Sequence, residues 1–279
     1  MYVGIDIGGT KVLVVALNQH GEIVERFKFP TPKKYEDFLS QLRIALRGFK
    51  HQEFKAGAVA VPGVLDRKHG IVTSFGNLPW KNVPVQRDME AICGCLMAID
   101  NDAKLGGLSE SMLLKGQYSK VLYVTVSTGI GIALIVDNKI DDNIFDGGGR
   151  TILLEHQGKM VPWESFASGR AIVERYGKRA SDINDKATWT KITRDLSLGI
   201  IELIAVAQPD VIIIGGGVGT YFDRYGDLLD KSLQKYHLPL ATIPPIMGAQ
   251  RAEDAVAYGC YDLARQVFGN ARTHHTTSN

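Results

Sequence analysis

Three glycine-rich turns and one acidic triplet are the parts of this chain whose residue types and spacing could do chemistry. The first is Asp6-Ile7-Gly8-Gly9-Thr10-Lys11. Gly8 and Gly9 let the backbone approach a ligand closely, and their exposed N–H groups can cradle phosphate oxygens. Thr10 adds a hydroxyl donor and Lys11 a cation, and Asp6 is placed to hold Mg2+ through water. A plain hairpin turn accounts for the glycines but not for the flanking Asp, Thr and Lys. The second turn, Ser127-Thr128-Gly129-Ile130-Gly131, offers Thr128 and Gly129 in the equivalent place of a second half. Two such turns can grip a polyphosphate from both sides. The third, Gly215-Gly216-Gly217-Val218-Gly219, ends in Thr220 and comes late in the chain, which departs from a dinucleotide fingerprint. It fits a backbone lying against an adenosine, or a plain strand-to-helix connection. The triplet is Asp100-Asn101-Asp102. A helix N-cap explains one such residue. A carboxylate facing two phosphate-gripping turns is also what phosphoryl transfer to an alcohol needs, with Asp102 as the base that takes the hydroxyl proton.

Strands alternating with amphipathic helices must position these residues. Tyr2–Ile7, Val12–Leu17 and Ile23–Phe29 read as successive strands, followed by a helix over about 35–49 with Phe38, Leu42, Ala45 and Leu46 on one face. Ala56–Val61 reads as a buried strand and Cys95–Ile99 as another, ending at the triplet, with a helix from there to about 114. The pattern restarts with strands at Lys120–Val126 and Ile132–Val136. Helices follow over about 165–176 and 188–207, then a buried strand at Val211–Ile214, and helices over about 221–236 and 252–268. Residues 270–279 read as a polar, frayed end. The repeat of strand, glycine turn and strand predicts an internal duplication, hence two α/β lobes with a central cleft. The expected division is an amino-terminal lobe over 1–114, a larger lobe over 115–250, and a final segment, 251–279, whose helix returns to the first lobe.

Bulk composition narrows the function. The chain has 279 residues, 45% hydrophobic and 22% charged, which suits a globular protein with a buried core. A formal net charge of +2 gives no electrostatic footprint for nucleic acid or an anionic membrane. No apolar run reaches the roughly 20 residues that span a bilayer, and no secretory signal follows Met1, so a cytoplasmic location is expected. Cys93, Cys95 and Cys260 form neither a disulfide framework nor a metal-ligand set and are expected to pack as small core residues.

Taken together, the motifs resemble the ROK family of sugar kinases, regulators and open reading frames, within the hexokinase–Hsp70–actin superfamily. Asp6–Lys11 matches that family's first phosphate loop, and Ser127–Gly131 the second. Val61-Pro62-Gly63-Val64-Leu65-Asp66 resembles its Pro-Gly-x-x-Asp stretch, and Gly76-Asn77-Leu78-Pro79-Trp80 its Asn-Leu-Pro-x-Trp segment. Asn101-Asp102-Ala103 looks like its catalytic Asn-Asp-Ala, and Trp163–Gly169 is similar to its Leu-Glu-x-x-Ala-Ser-Gly. The resemblance implies a duplicated ribonuclease-H-like fold, ATP with Mg2+ as cofactors, and a small-molecule sugar as partner. By resemblance Asp102 is the general base, and Gly63, Asn77, Asn101 and Glu164 lie on the sugar. Gly8, Gly9, Thr10, Lys11, Thr128, Gly129, Gly215, Gly216 and Gly217 lie on the nucleotide, and Asp6 near the metal. A homodimer is left open. A non-catalytic sugar sensor is the rival; family repressors carry a helix-turn-helix ahead of the first strand, here expected at Tyr2. Polyphosphate as donor stays open as well.

Two departures bear on the acceptor. The family's Gly-Glu-x-Gly-His, whose Glu and His bind the sugar, and its zinc-binding cysteine loop are replaced by Asp146-Gly147-Gly148-Gly149-Arg150 and a cysteine-free stretch, so no zinc is expected. Two registers are open, and neither restores the Glu/His pair. His156 is expected at the surface or behind the pocket. Lys104 stands where an Asn often follows Asn-Asp-Ala. Arg150 either faces the cleft, favouring an acylated or acidic sugar, or points to solvent, leaving glucose as the acceptor.

Overall fold

A computed structural model of the chain describes residues 1–76, 78–144, 146–251 and 254–269. Asn77, the start expected for the last helix at Ala252, and the terminal segment 270–279 lie outside the described residues. The chain divides into two compact units. One holds residues 1–101 together with the described residues from Ala257 onward, and the other holds 102–256.

The first unit is built on β1 (Tyr2–Ile7), β2 (Lys11–Leu17), β3 (Ile23–Pro30), α1 (Tyr35–Arg47) and β4 (Ala56–Val61). It continues through β5 (Gly63–Asp66), β6 (Ile71–Phe75), β7 (Lys81–Val83), α2 (Val85–Cys93) and β8 (Met97–Asn101). Its main sheet has the order β3-β2-β1-β4-β8. β1, β2 and β3 are antiparallel, while β4 and β8 run parallel to β1. Ala56–Val61 is buried at every position, as a strand covered on both faces must be. Phe38, Leu42, Ala45 and Leu46 of α1 pack into the core beneath this sheet, as their spacing predicts. The three short strands β5–β7, which form a separate sheet, were not read from the sequence.

The second unit comprises α3 (Asp102–Leu113), β9 (Lys120–Val126), β10 (Ile130–Val136), β11 (Lys139–Ile140) and the hairpin β12 (Leu153–His156) and β13 (Lys159–Pro162). After it come α4 (Glu164–Ala167), α5 (Gly169–Tyr176), α6 (Lys186–Ala207), β14 (Val211–Gly215), α7 (Gly216–Gly219), α8 (Gly226–Leu233) and β15 (Ile246–Gly248). Its sheet has the order β11-β10-β9-β14-β15, again with three antiparallel strands followed by two parallel ones. The two units therefore repeat one strand order, the duplicated ribonuclease-H-like α/β plan of the actin-like ATPases. Because the orders match, the β1–β2 turn corresponds to the β9–β10 turn. The end of β4 at Pro62-Gly63 likewise corresponds to the end of β14 at Gly215-Gly216.

The structure differs from the sequence reading in further places. The division falls at 101/102 and not near 114, because α3 lies on β9 and β10. A side chain at Gly107 would meet Tyr123 Cβ and Ala133 Cβ at 2.9 and 3.0 Å, so the Gly106-Gly107 pair lets the helix approach the sheet. The helix expected over 165–176 is interrupted at Ser168, whose extended backbone ends α4 and whose hydroxyl accepts the Ala171 N–H to cap α5. The helix expected from Tyr221 begins as a 3-10 turn and becomes α8 only at Gly226. The last helix, α9 (Ala255–Phe268), joins the first unit from Ala257 on. There Tyr261 donates its hydroxyl to Gln19 O at 2.7 Å and meets Tyr2 edge to face.

Candidate active site

In the first unit the β1–β2 turn closes through the Gly8 N–H, which donates to Lys11 O at 2.9 Å. A Cβ on Gly8 would stand 2.8 Å from that same oxygen, so the turn can form only with glycine there. Gly9, Thr10 and Lys11 are exposed, and Asp6 is half-buried on the strand leading in. Sequence reasoning missed Thr31, which braces the turn twice. Its hydroxyl donates to Gly8 O at 2.6 Å and its N–H to Thr10 O at 3.1 Å. The signal was weak: one threonine after a strand-ending proline.

The triplet separates into different roles. Asp100 is 4% exposed and accepts from Arg67 Nη2 at 2.8 Å and from the Asn101 N–H at 2.7 Å. It is a paired structural carboxylate. Asn101 ends β8 opposite Val61 and is half-buried. Asp102 opens α3, and its Oδ1 accepts the Ala103 N–H at 2.8 Å. Burial raises the Asp102 pKa to about 6, and the hydrogen bond from Ala103 offsets this only in part. Gly63 has a packing reason of its own, because a Cβ there would stand 2.0 Å from Ser74 O.

In the second unit the residues converge. The β9–β10 turn exposes Ser127 and Thr128, and the Gly169 N–H at the start of α5 donates to Ser127 O at 2.7 Å. Glu164, at the start of α4, is 7% exposed. Its Oε2 accepts the Ile130 N–H at 2.9 Å and its Oε1 accepts from Arg150 Nε at 2.8 Å. Arg170 Nη2 lies 3.7 Å from the same Oε1. A Cβ on Gly129 would stand 2.3 Å from Glu164 Oε2, so that glycine makes room for the carboxylate. A Cβ on Gly131 would fall 2.6 Å from Ala103 Cβ, which puts the start of α3, and with it Asp102, against the first residues of β10.

The segment between these elements is tied at both ends. Lys104 is wholly buried, with Nζ 2.9 Å from Asp146 Oδ1, and it donates to Asp141 O at 3.0 Å. Arg150 closes the other end on Glu164, and Gly149 packs over the Ile130 side chain. Arg150 is half exposed while its Nε is held by Glu164. His156 is packed away from this cluster: its ring stacks on Phe166 at 4.2 Å, with Nε2 3.8 Å from Asp195 Oδ1. Among the described residues no three His, Cys, Asp or Glu side chains group as metal ligands.

At the end of β14, Gly216 has φ +78°, and a Cβ there would stand 2.6 Å from both Thr125 Oγ1 and Val126 O. The backbone thus fixes Gly216, whereas a Cβ on the exposed Gly217 would meet nothing within 4 Å. Gly217 leaves open space beside the strand end, where ligands of such sheets bind.

The chain is 25% identical to the glucokinase of Streptomyces coelicolor, over 95% of this chain and 97% of that protein. It is 25% identical to the N-acetyl-D-glucosamine kinase of Haemophilus influenzae, over 94% and 99%. The solved structure of a ROK family glucokinase from Streptomyces griseus, in complex with glucose and AMPPNP, has the same fold. Its TM-score is 0.81 at 24% identity, covering 95% of this chain and 99% of that one. The ROK family model matches residues 2–267, and the chain belongs to the ROK family.

Proposed function

We propose that this protein is an ATP-dependent sugar kinase that transfers the γ-phosphoryl group to a hexose hydroxyl, with Asp102 as the general base. One observation carries the reading: a half-buried carboxylate, its pKa raised to about 6, opens a helix packed against the first residues of β10, just after the β9–β10 turn. A base with that proton affinity is mostly ionised at neutral pH and still able to accept a proton.

The residues present fit ATP and Mg2+. The β1–β2 and β9–β10 turns carry exposed donors at Gly9, Thr10 and Thr128, and Gly217 leaves room for the nucleoside. Gly8, Lys11, Gly129, Gly215 and Gly216 shape the same backbone, and Asp6 would hold the metal. Bound ATP supplies the phosphoryl group, and Mg2+ neutralises its charge. Asp102 Oδ2, the oxygen not engaged by Ala103, would take the acceptor's hydroxyl proton, and Asn101 would orient the sugar beside it. Thr31 and Gly169 hold the two turns, so their N–H groups are aimed before a ligand arrives.

A second reading, a sugar-sensing protein without turnover, is favoured by one observation: Glu164 is already engaged by Arg150 and Ile130. A coupled assay for ADP release over a panel of hexoses separates the two. Sugar-dependent ADP release supports the kinase; sugar binding without it supports the sensor.

A further inference from the structure

We infer that Arg150 determines specificity by reading an anionic group, a carboxylate or phosphate, carried by the acceptor, and that Glu164 serves to aim it. This rests on the kinase reading for its setting and on the geometry around Glu164 for its substance.

A sugar-binding carboxylate should offer free lone pairs to hydroxyl groups. Glu164 offers few. It is 7% exposed, the Ile130 N–H occupies Oε2, and Arg150 Nε occupies Oε1 with Arg170 close by. What the cluster presents to solvent is positive. The side chains of Arg150 and Arg170 are 50% and 49% exposed, and one carboxylate offsets only one of the two charges. Arg150 commits Nε to Glu164, and its two terminal amino groups have no hydrogen-bond partner among the described residues. Those two groups form the edge of the guanidinium fork that matches a carboxylate or phosphate in bidentate fashion, whereas neutral hydroxyl groups gain little from it.

The fork is also fixed in place. Glu164 holds it at one end of the 146–150 turn, and the pair of buried Lys104 with Asp146 holds the other. Between them a Cβ on Gly148 would stand 2.4 Å from Ile130 O, so the turn lies directly on the start of β10. The same stretch of β10 meets Ala103, the neighbour of Asp102. An immobilised donor pair loses little conformational entropy when an anion binds, which is the condition for selectivity.

The same chemistry could serve the donor's phosphates, and the experiment separates the two sources. For the purified full chain, kcat/KM is measured with glucose and N-acetylglucosamine against glucuronate and glucose 1-phosphate, together with the KM for ATP. The expected result is a preference for an acidic acceptor whose acidic-to-neutral ratio falls about 10- to 100-fold in Arg150→Ala, the range of one charged hydrogen-bond set. Arg150→Lys, which keeps the charge and loses the fork, should recover part of the ratio. Equal loss on every acceptor with a raised KM for ATP would assign Arg150 to the donor phosphate and overturn the inference, as would a wild-type preference for neutral sugars. Calorimetry of the same sugars without nucleotide keeps the two claims apart. Arg150-dependent binding of an acid with no turnover of any sugar sinks the kinase reading alone; turnover of neutral sugars with no acid binding sinks this one alone.

Discussion

Lys104 Nζ lies 2.9 Å from Asp146 Oδ1, the lysine side chain wholly buried and the aspartate about one-third exposed. A buried ammonium persists only where a charge and a carbonyl compensate its lost hydration, and Asp146 and Asp141 O supply both. Lys104→Met should cost about 3 kcal/mol, the low end for breaking a buried pair because Asp146 keeps some water. Urea unfolding reads this directly. Asp146→Asn in the Lys104→Met background should cost little more, since the two residues act as one unit. Full additivity would show that they do not.

The raised pKa of Asp102 has a sign that can be tested. A folded-state pKa of about 6, above the unfolded value, means that the folded protein binds this proton more tightly. The stability so gained is complete below about pH 4 and is lost as pH rises through 6. Asp102→Asn mimics the protonated form, so it should be more stable than wild type at pH 7, with the difference closing below pH 4. Thermal unfolding across pH 3.5–7.5 checks this; an Asn variant less stable than wild type at neutral pH would contradict the burial argument. In activity, wild-type kcat/KM should rise with pH along a limb centred near 6, and that limb should be absent in the variant.

Gly216 and Gly217 adjoin in sequence but should respond oppositely to substitution. Gly216→Ala forces a left-handed φ on alanine and drives Cβ to 2.6 Å from two oxygens. It should destabilise the fold by several kcal/mol, on the order of 2–4. Gly217→Leu enters open space, so its melting temperature should stay close to wild type while nucleotide affinity drops at least about ten-fold, roughly 1.4 kcal/mol. Calorimetry with a non-hydrolysable ATP analogue decides. Unchanged affinity in Gly217→Leu would remove the β14 end from the nucleotide site.

What the sequence disclosed follows from how local each signal is. The turn at Gly8-Gly9 could be read because glycine at position 8 is demanded by the turn itself, and α1 because Phe38, Leu42, Ala45 and Leu46 repeat at helical spacing. The break at Ser168 was not legible, since Trp163–Gly169 continues an amphipathic pattern across it and only the cap bond to Ala171 reveals the stop. Nor was the pairing of Lys104 with Asp146 or of Arg150 with Glu164 legible. Partners 42 and 14 residues apart are joined by the fold, and nothing in the type of either residue announces the other. Asp100 shows the same limit from the other side: its neighbours resemble a catalytic triplet, and only Arg67 identifies it as structural.

The central claim is that Asp102 moves a sugar proton during phosphoryl transfer, and its most direct measurement is phosphorus NMR of wild type and Asp102→Asn incubated with ATP, Mg2+ and a hexose panel. The account predicts that the γ-phosphate resonance is replaced by a sugar phosphate ester in the wild type. In the variant the same ester should form about 10²–10⁴ times more slowly, with sugar and nucleotide affinity little changed. Ester formation at equal rates in the two proteins, or release of inorganic phosphate alone from both, would contradict it.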